Sequence, residues 1–157
     1  MDEDFLRSRA YPFMLAAMRV FEEMLVYENG KMALPVSVSP EYVDKKGRHW
    51  GKNSSFQLAC IHALCEALIA ASEVLGEKPR AAWKRIMKNL PPASLVQAGS
   101  VEGRKGSMIG IWEGVPLEES HRHHSHLAGI TPFDTFNFEN PEWQEIVSPQ
   151  STTSTHL

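Results

Sequence analysis

The sequence has little cysteine, no excess of basic charge and no apolar run that approaches a membrane span. Its 157 residues carry 16 lysines and arginines against 19 aspartates and glutamates, which gives a formal net charge of −3. A nucleic-acid-binding chain would instead show a clustered basic face. The apolar runs stay short of the ~20 residues that cross a bilayer. We therefore expect neither nucleic acid nor a membrane among the partners.

The N-terminus and the cysteines exclude two further features. The start, Met1-Asp2-Glu3-Asp4, is acidic where a secretory signal would be basic, so no such signal is visible. Cys60 and Cys65 are the two cysteines, five positions apart in a helical pattern. At about 100° per residue they point roughly 140° apart, which suits neither a disulfide nor a metal pair. We expect two small core residues.

What is present is an ordinary globular composition, with 43% hydrophobic and 22% charged residues, enough for about one domain. Three segments carry apolar residues at helical spacing, namely 13–27, 56–75 and 79–90. Gly30 and Gly76 are available as left-handed caps for the first two. Both of these helices are apolar on more than one face, so they belong inside a larger helical assembly with a second layer.

Shorter elements complete the predicted order. Pro12 is expected to start the first helix after an entry segment, and Asn53 or Ser54 to cap the second. Segments 95–98 and 108–112 are strand-like and predict a small hairpin, with long decorated loops around it. A last helix opens at Pro141 and runs to residue 147, and the tail 148–157 is expected to be disordered. The predicted domain is 1–147, mainly α.

The first candidate site is the segment Ser37-Val38-Ser39-Pro40-Glu41. Glu41 is a carboxylate on a loop directly after an extended segment that its prolines restrict. A glutamate held over a pocket performs general acid catalysis when its pKa is raised. The alternative is a solvated loop glutamate without a catalytic role.

The second candidate site is the run His121-Arg122-His123-His124-Ser125-His126. Its spacing resembles the His-x-His-x-Asp-His ligand run of metallo-β-lactamases, with Ser125 in place of the carboxylate ligand. A chance enrichment in histidine is a further alternative. We favour the polar wall of a ligand pocket, since imidazoles and a guanidinium make directional hydrogen bonds to hydroxyl groups. No metal and no cofactor is predicted.

Aromatic residues accompany both sites. Trp50 follows the first, and Trp112-Glu113 precedes the second. Indole rings pack on sugar faces while carboxylates, histidines and arginines bind hydroxyls, so the combination favours carbohydrate. No phosphate loop or dinucleotide fingerprint is present. The alternative for Trp112 is a core residue of the hairpin.

Together these motifs resemble glycoside hydrolase family 95. The run from His121 to Leu127, followed by a glycine and Pro132, is similar to the family's His-Arg-His-x-Ser-His-Leu signature. The Ser-Val-Ser-Pro-Glu segment is similar to its Ser-x-Ser-Pro-Glu motif. Trp112-Glu113 and Tyr11-Pro12 also have counterparts, in the same order and at similar spacing. The resemblance covers roughly residues 5–143.

The resemblance implies a piece of an (α/α)₆ toroid that hydrolyses α-L-fucosides and related α-L-galactosides with inversion. Three or four of twelve helices would lie in this chain. By motif match, the family's general acid falls on Glu41. The implied sugar-binding residues are His121, Arg122, His123 and His126, with Trp112 and Glu113 nearby. The family's water-activating aspartate and its assisting asparagines match no region of this chain.

Two other functions stay open. One is a non-catalytic helical module that binds carbohydrate or another partner, and the other is a metal-dependent hydrolase that uses the histidine run. The expected partners are a glycoside or oligosaccharide substrate, and either a second copy of the chain or the missing barrel segments. The resemblance favours an extracellular or periplasmic location.

Overall fold

Helices dominate the chain, as predicted. The computed structural model describes residues 2–97 and 106–136, together with residues 139, 141, 143 and 144. The helices are α1 (Glu3–Phe5), α2 (Tyr11–Met24), α3 (Ser55–Val74) and α4 (Ala81–Asn89), with a π-helical turn at Leu6–Ala10 and a 3₁₀ turn at Ser125–Leu127. The strands are β1 (Val26–Glu28), β2 (Lys31–Ala33), β3 (Leu95–Gln97) and β4 (Ser107–Ile109). The closed toroid stays a prediction.

Helix α3 is the centre of the main core, and α2 and α4 pack against it. Its residues Leu58, Ile61, Cys65 and Leu68 follow one another at spacings of three and four, and all are fully buried. Both cysteine thiols are free. Cys65 lies in this core, as predicted, and Cys60 is half-buried. Burial raises the pKa of the Cys60 thiol to about 11 and that of Cys65 to about 12.

The helix around Pro12 does not begin at that proline. Helix α1, the π turn and α2 form one continuous helix, because the flanking residues have right-handed helical backbone. In the π turn, the Tyr11 N–H donates to the Leu6 carbonyl, five residues back. A proline ring in a regular α-helix collides with the carbonyl four residues earlier, here that of Ser8. The wider turn accommodates the ring, so the helix extends further towards the N-terminus than predicted.

The role predicted for Asn29-Gly30 is wrong. Helix α2 ends at Met24, and residues 26–28 form a strand that pairs antiparallel with β2. Asn29 and Gly30 have φ values of 49° and 79°, and they connect the paired residues Glu28 and Lys31. Two left-handed residues in a two-residue loop make a type I′ hairpin turn, for which Asn-Gly is the preferred sequence. The same dipeptide therefore closes a hairpin and does not cap a helix.

The start of α3 is buried against the second hairpin. β3 pairs antiparallel with β4, which confirms the predicted hairpin; its turn lies outside the described residues. The Ser55 Oγ donates to the Gly110 carbonyl at 2.7 Å and accepts the Ser94 N–H at 3.0 Å. Ser54 occupies the N-cap position, but its Oγ has no hydrogen-bond partner among the described residues. The predicted N-cap position is therefore confirmed, but its side chain does not form the capping hydrogen bond. The Ser55 N–H donates instead to the Ile111 carbonyl at 3.1 Å.

At its C-terminus, α3 ends as predicted. Gly76 has a φ of 69°, its N–H donates to the Glu73 carbonyl, and the Glu77 N–H donates to the Ser72 carbonyl at 2.8 Å. These two bonds form a Schellman motif, which uses a left-handed glycine. Helix α4 begins two residues later than predicted, at Ala81, and ends before Pro91-Pro92.

The expectation that no segment approaches membrane-span length is wrong for α3. Its 20 residues, Ser55–Val74, are long and apolar enough to cross a bilayer, with a mean hydropathy of 1.4 over 18 residues. Half of that window is buried within this chain, and the core helix of a water-soluble protein passes the same test. The sequence analysis did not recognise the length of this apolar helix because small polar residues interrupt its apolar run.

The C-terminal predictions fall largely outside the described residues. Pro141, Trp143 and Gln144 are helical, in agreement with a helix that opens at Pro141. The Trp143 ring stacks on Phe136 with a centroid distance of 4.5 Å. The remainder of that helix and the tail 148–157 lie outside the described part of the chain.

Helix α2 keeps an apolar face in solvent, which generates a prediction. Phe13 and Val20 are 75% and 59% exposed and lie seven residues apart, so they share one side of the helix. We expect the chain alone to form dimers or larger species in light scattering, because exposed apolar patches favour association. The double variant Phe13→Ser, Val20→Ser should have a lower mass, whereas the control Leu95→Ser should not. A monomeric wild-type chain would contradict this.

Candidate active site

Glu41 lies at the third position of a tight turn formed by residues 39–42. The Tyr42 N–H donates to the Ser39 carbonyl at 3.2 Å, and Pro40 occupies the second position. Glu41 has a φ of 55°, in the left-handed region that side-chain-bearing residues seldom adopt. This pattern is that of a type II turn, which usually has glycine or asparagine at this place. A glutamate here costs of order 1–3 kcal/mol, and such strain concentrates at functional sites.

Two serines that point into the protein hold this turn. Ser37 pairs with Gly51 through backbone hydrogen bonds of 2.8 and 2.9 Å, and its Oγ donates to the Gly51 carbonyl at 2.7 Å. The same Oγ accepts the Ser54 N–H at 2.7 Å. The Ser39 Oγ lies 2.6 Å from the Ser125 Oγ, in the histidine run. Both serines are buried. The Ser-x-Ser spacing therefore anchors the turn on two sides.

The histidine run lies against Glu41. The Arg122 guanidinium donates to Glu41 Oε2, and the His123 Nε2 lies 3.1 Å from the same oxygen. The His121 Nε2 lies 3.1 Å from the Glu41 carbonyl oxygen, to which it donates. Its Nδ1 lies 3.1 Å from the His123 backbone nitrogen. Three of the predicted sugar-binding residues thus contact Glu41.

The charge of this cluster favours the ionised carboxylate. The hydrogen bond and positive charge of Arg122 lower the pKa of Glu41 below its usual value, and His123 contributes in the same direction. The side chains of Glu41 and Arg122 are 56% and 75% exposed. A general acid needs the opposite shift. The chain by itself therefore presents an open polar wall with a negatively charged Glu41.

Trp112 supports this wall from below and does not face solvent. It is 1% exposed, and its ring packs edge-on against Tyr42 at a centroid distance of 5.4 Å. Tyr42 also contacts the His121 ring at 5.8 Å. A Cβ added at Gly51 would lie 2.5 Å from the Trp112 Cγ. The glycine therefore allows the paired segments around Ser37 and Gly51, which we call the ribbon, to pack on the indole. The indole has no exposed face on which a sugar could pack. Trp112 is therefore a core residue, the alternative to the expected direct contact with a sugar.

Glu113 belongs to a different cluster. Its carboxylate accepts the Asn53 Nδ2 at 2.7 Å and lies 3.6 Å from the Lys52 Nζ. Lys52 also donates to Glu28 at 2.7 Å. These residues line a cleft of about 300 Å³ between the two hairpins. Glu41 does not line this cleft. The structure does not bring Glu113 to the histidine run.

His126 is turned into the protein. It is 5% exposed, and its Nδ1 has no hydrogen-bond partner among the described residues. Burial, with a smaller contribution from His124, lowers the pKa of His126 to about 4. The ring is therefore neutral near pH 7. It packs beneath the wall, contrary to its predicted place in the sugar subsite.

Comparison with known protein families places the chain in one of them. The family model described as glycosyl hydrolase family 95 catalytic domain matches residues 1–150. The chain belongs to glycoside hydrolase family 95. It is also similar to alpha-L-fucosidase 2 of Arabidopsis thaliana, with 26% identity over 158 residues that cover 94% of this chain and 18% of that protein. The chain thus spans less than a fifth of the length of this relative.

Family 95 membership confirms the resemblance found in the motifs. The two segments on which that resemblance rests, 37–41 and 121–127, are those that meet at Glu41. Within the described part of the chain, no group of three or more His, Cys, Asp and Glu side chains could hold a metal ion.

Of two further residues beside the wall, the sequence analysis missed Tyr42 and considered Asp44 only as a base in case the chain alone hydrolyses a glycoside. Tyr42 is buried between Trp112 and His121, and its hydroxyl accepts the Glu118 N–H at 3.3 Å. Asp44 is buried and accepts the backbone N–H groups of Lys46 and Arg48. An aspartate that precedes Lys-Lys-Gly is a turn signal, in agreement with these bonds. No local signal reveals the position of Tyr42 between two rings.

The buried His126 predicts a dependence of stability on pH. Its pKa is lower in the folded than in the unfolded chain, so the unfolded state binds the proton more readily and stability falls as pH drops from about 6.5 to 4. The loss is roughly 3 kcal/mol for a shift of this size. Urea unfolding across this range should show it, and His126→Phe should reduce the slope. The matched control is the exposed His49→Phe. An unchanged slope in His126→Phe would contradict the assignment.

Proposed function

We propose that this chain supplies the acid-bearing wall of a family 95 glycosidase that cleaves α-L-fucosides or related α-L-galactosides with inversion. The observation that carries the proposal is the meeting of both signature segments at the Glu41 carboxylate, on a strained turn. Such an arrangement holds one carboxylate beside several hydrogen-bond donors, which is what an enzyme acting on hydroxyl-rich substrates requires.

In this proposal, the hydrogen-bond donors of Arg122 and His123 leave the Glu41 carboxylate and bind the substrate instead. Arg122 and His123 donate to sugar hydroxyls when a glycoside binds, and Glu41 then loses the contacts that lower its pKa. Closure of the site also excludes water, which further disfavours the charged carboxylate. Both changes raise the pKa of Glu41, so that it holds the proton it gives to the leaving-group oxygen.

Inversion needs a second group about 6.5–9.5 Å from the acid to activate water. Asp44, three residues from Glu41, has both oxygens engaged, because its Oδ2 also accepts the Arg48 Nε at 2.6 Å. Glu113 is engaged in its own cluster. We therefore assign the water-activating group to the segments that the longer relative has and this chain does not match.

The second candidate is a sugar-binding module without catalytic activity. The lowered pKa of Glu41 favours it, because an ionised carboxylate accepts hydrogen bonds from hydroxyls and donates no proton. The two candidates differ in turnover once the missing helical hairpins are supplied.

Turnover tests the acid. In a barrel completed with those hairpins, Glu41→Gln should reduce hydrolysis of a substrate with a poor leaving group by ~10²–10⁴-fold, the usual contribution of general acid catalysis. The control Glu119→Gln removes an exposed carboxylate of the same loop region and should leave turnover unchanged. The chain alone should release no chromophore from an aryl α-L-fucoside. Unchanged turnover in Glu41→Gln would rule out the acid, and sugar binding without turnover in the completed barrel would favour the binding module.

The hydrogen-bonded ion pair of Arg122 and Glu41 can be tested in this chain by itself. Arg122→Gln should raise the pKa of Glu41, since it removes the charge and the hydrogen bond that lower it. A pH titration of the carboxyl carbon resonances by NMR measures this shift. Arg48→Gln is the matched control, because Arg48 contacts Asp44 and should alter that pKa instead. A Glu41 pKa that does not move in Arg122→Gln would refute the pairing.

A further inference from the structure

The Trp112-Glu113 pair supports the ribbon at two points. The Trp112 ring lies against Gly51, where a Cβ would collide with the indole. The next residue, Glu113, donates its N–H to the Lys52 carbonyl at 2.9 Å, and its carboxylate accepts the Asn53 Nδ2 at 2.7 Å. Three successive residues, 51–53, therefore rest on one dipeptide that lies about 60 positions away in the sequence.

Asn53 also binds the opposite strand of the ribbon. Its N–H donates to the Leu34 carbonyl at 2.9 Å, and its Oδ1 accepts the Leu34 N–H at 2.7 Å. Both residues are buried. Three residues after Leu34, Ser37 pairs with Gly51, and the turn that carries Glu41 follows directly. Asn53 thus closes the ribbon at one end, and the Glu41 turn lies beyond the other.

Asparagine meets two demands at position 53. Its φ of 53° lies in the left-handed region, which asparagine adopts more readily than most residues with a side chain. The Leu34 N–H needs an acceptor, whereas the ionised Glu113 carboxylate needs a donor, and the amide supplies both. Aspartate would present a second negative oxygen to Glu113, and glycine would present no side chain. Glu113 and the backbone together therefore determine which residue fits here.

The charges around Glu113 hold its carboxylate in place. The Lys52 Nζ lies 3.6 Å from Glu113 and 2.7 Å from Glu28, so one ammonium offsets the repulsion between two carboxylates. Because Glu28 belongs to β1, these contacts also link the first hairpin to this end of the ribbon. The Glu113 side chain is 54% exposed, so its substitution leaves the buried core intact.

We propose that Glu113 is a positioning residue for Glu41 and that it acts through Asn53 and the ribbon. The Glu41 turn is anchored on its other side by the Ser39–Ser125 hydroxyl pair. A ribbon that shifts at the Asn53 end therefore moves the Glu41 carboxylate relative to the histidine run. Such a displacement of about 1 Å costs up to ~10²-fold in the rate of an enzyme. The inference rests on the proposed function, and it gives Glu113 a part in the reaction without contact to the sugar.

A hydrogen-bond swap tests this coupling in the chain as it is. Asn53→Asp places two carboxylates together and should raise the pKa of Glu41, because the displaced turn loses part of the Arg122 contact that lowers it. The double variant Asn53→Asp, Glu113→Gln restores one donor and one acceptor at the original net charge, so the pKa should return. Titration of the carboxyl carbon resonances by NMR measures both. The matched control Asn29→Asp adds the same charge to the lining of the same cleft and should leave that pKa unchanged.

Turnover in the completed barrel supplies a second measurement. Asn53→Asp should lower kcat roughly 10- to 100-fold with a smaller change in KM, since the acid is misplaced while the sugar-binding donors remain. The double variant should recover most of this loss. Glu113→Ala should lower kcat in the same direction, and Glu113→Gln should keep it, because the Gln Oε1 still accepts the Asn53 Nδ2.

The outcomes separate a positioning role from a structural one. A Glu41 pKa that stays unchanged in both Asn53→Asp and Glu113→Ala overturns the inference, even where urea unfolding shows a loss of stability. A double variant that does not restore the pKa overturns it as well. If Asn53→Asp does not fold, the pKa in Glu113→Ala decides in the same way. Turnover retained in Glu41→Gln would overturn the proposed acid alone, while the pKa response would still show that Glu113 positions this carboxylate.

Discussion

The clamp between the Glu41 turn and the histidine run is the interaction on which the site depends. It joins residues about 80 positions apart through the Ser39–Ser125 hydroxyl pair, the His121 bond to the Glu41 carbonyl, and the Arg122 bond to the carboxylate. Closing a loop of that length costs conformational entropy, which a few exposed hydrogen bonds do not offset. The compensation must come from buried structure beneath the clamp.

That structure is a group of buried, hydrogen-bonded serines at the start of α3 together with the buried indole of Trp112. The Ser55 Oγ bonds the backbone of Gly110 and Ser94, next to the two strands of the second hairpin, and the Ser94 Oγ donates to the Asn53 carbonyl. The Ser37 Oγ accepts the Ser54 N–H at the same helix start. Trp112 fills the space under the ribbon and Tyr42. The buried hydrogen bonds of Ser37, Ser55 and Ser94 rigidify their surroundings. The strained φ of Glu41 persists because these contacts over-determine the turn.

The exposed side of the clamp has a different character. Its charges are open to water, and Arg122 holds Glu41 in the ionised form. An enzyme that uses this glutamate as an acid has to displace that guanidinium and remove the water. In the proposed function, a bound sugar that displaces Arg122 and the exclusion of water would both raise the pKa of Glu41.

Local patterns alone determined the helices, the second hairpin, the Gly76 cap and the motifs that identify the family, because periodicity and turn chemistry act over a few neighbouring residues. They also located Glu41 and the histidine run. Asn29-Gly30 carries a local signal for a hairpin turn, which the apolar periodicity of the preceding helix obscured. Only the tertiary structure decided that Trp112 and His126 are buried and that Glu113 pairs elsewhere. Burial of these side chains depends on segments tens of residues away. The spacing of residues in the sequence therefore does not show that Trp112 is covered while Trp50 is exposed.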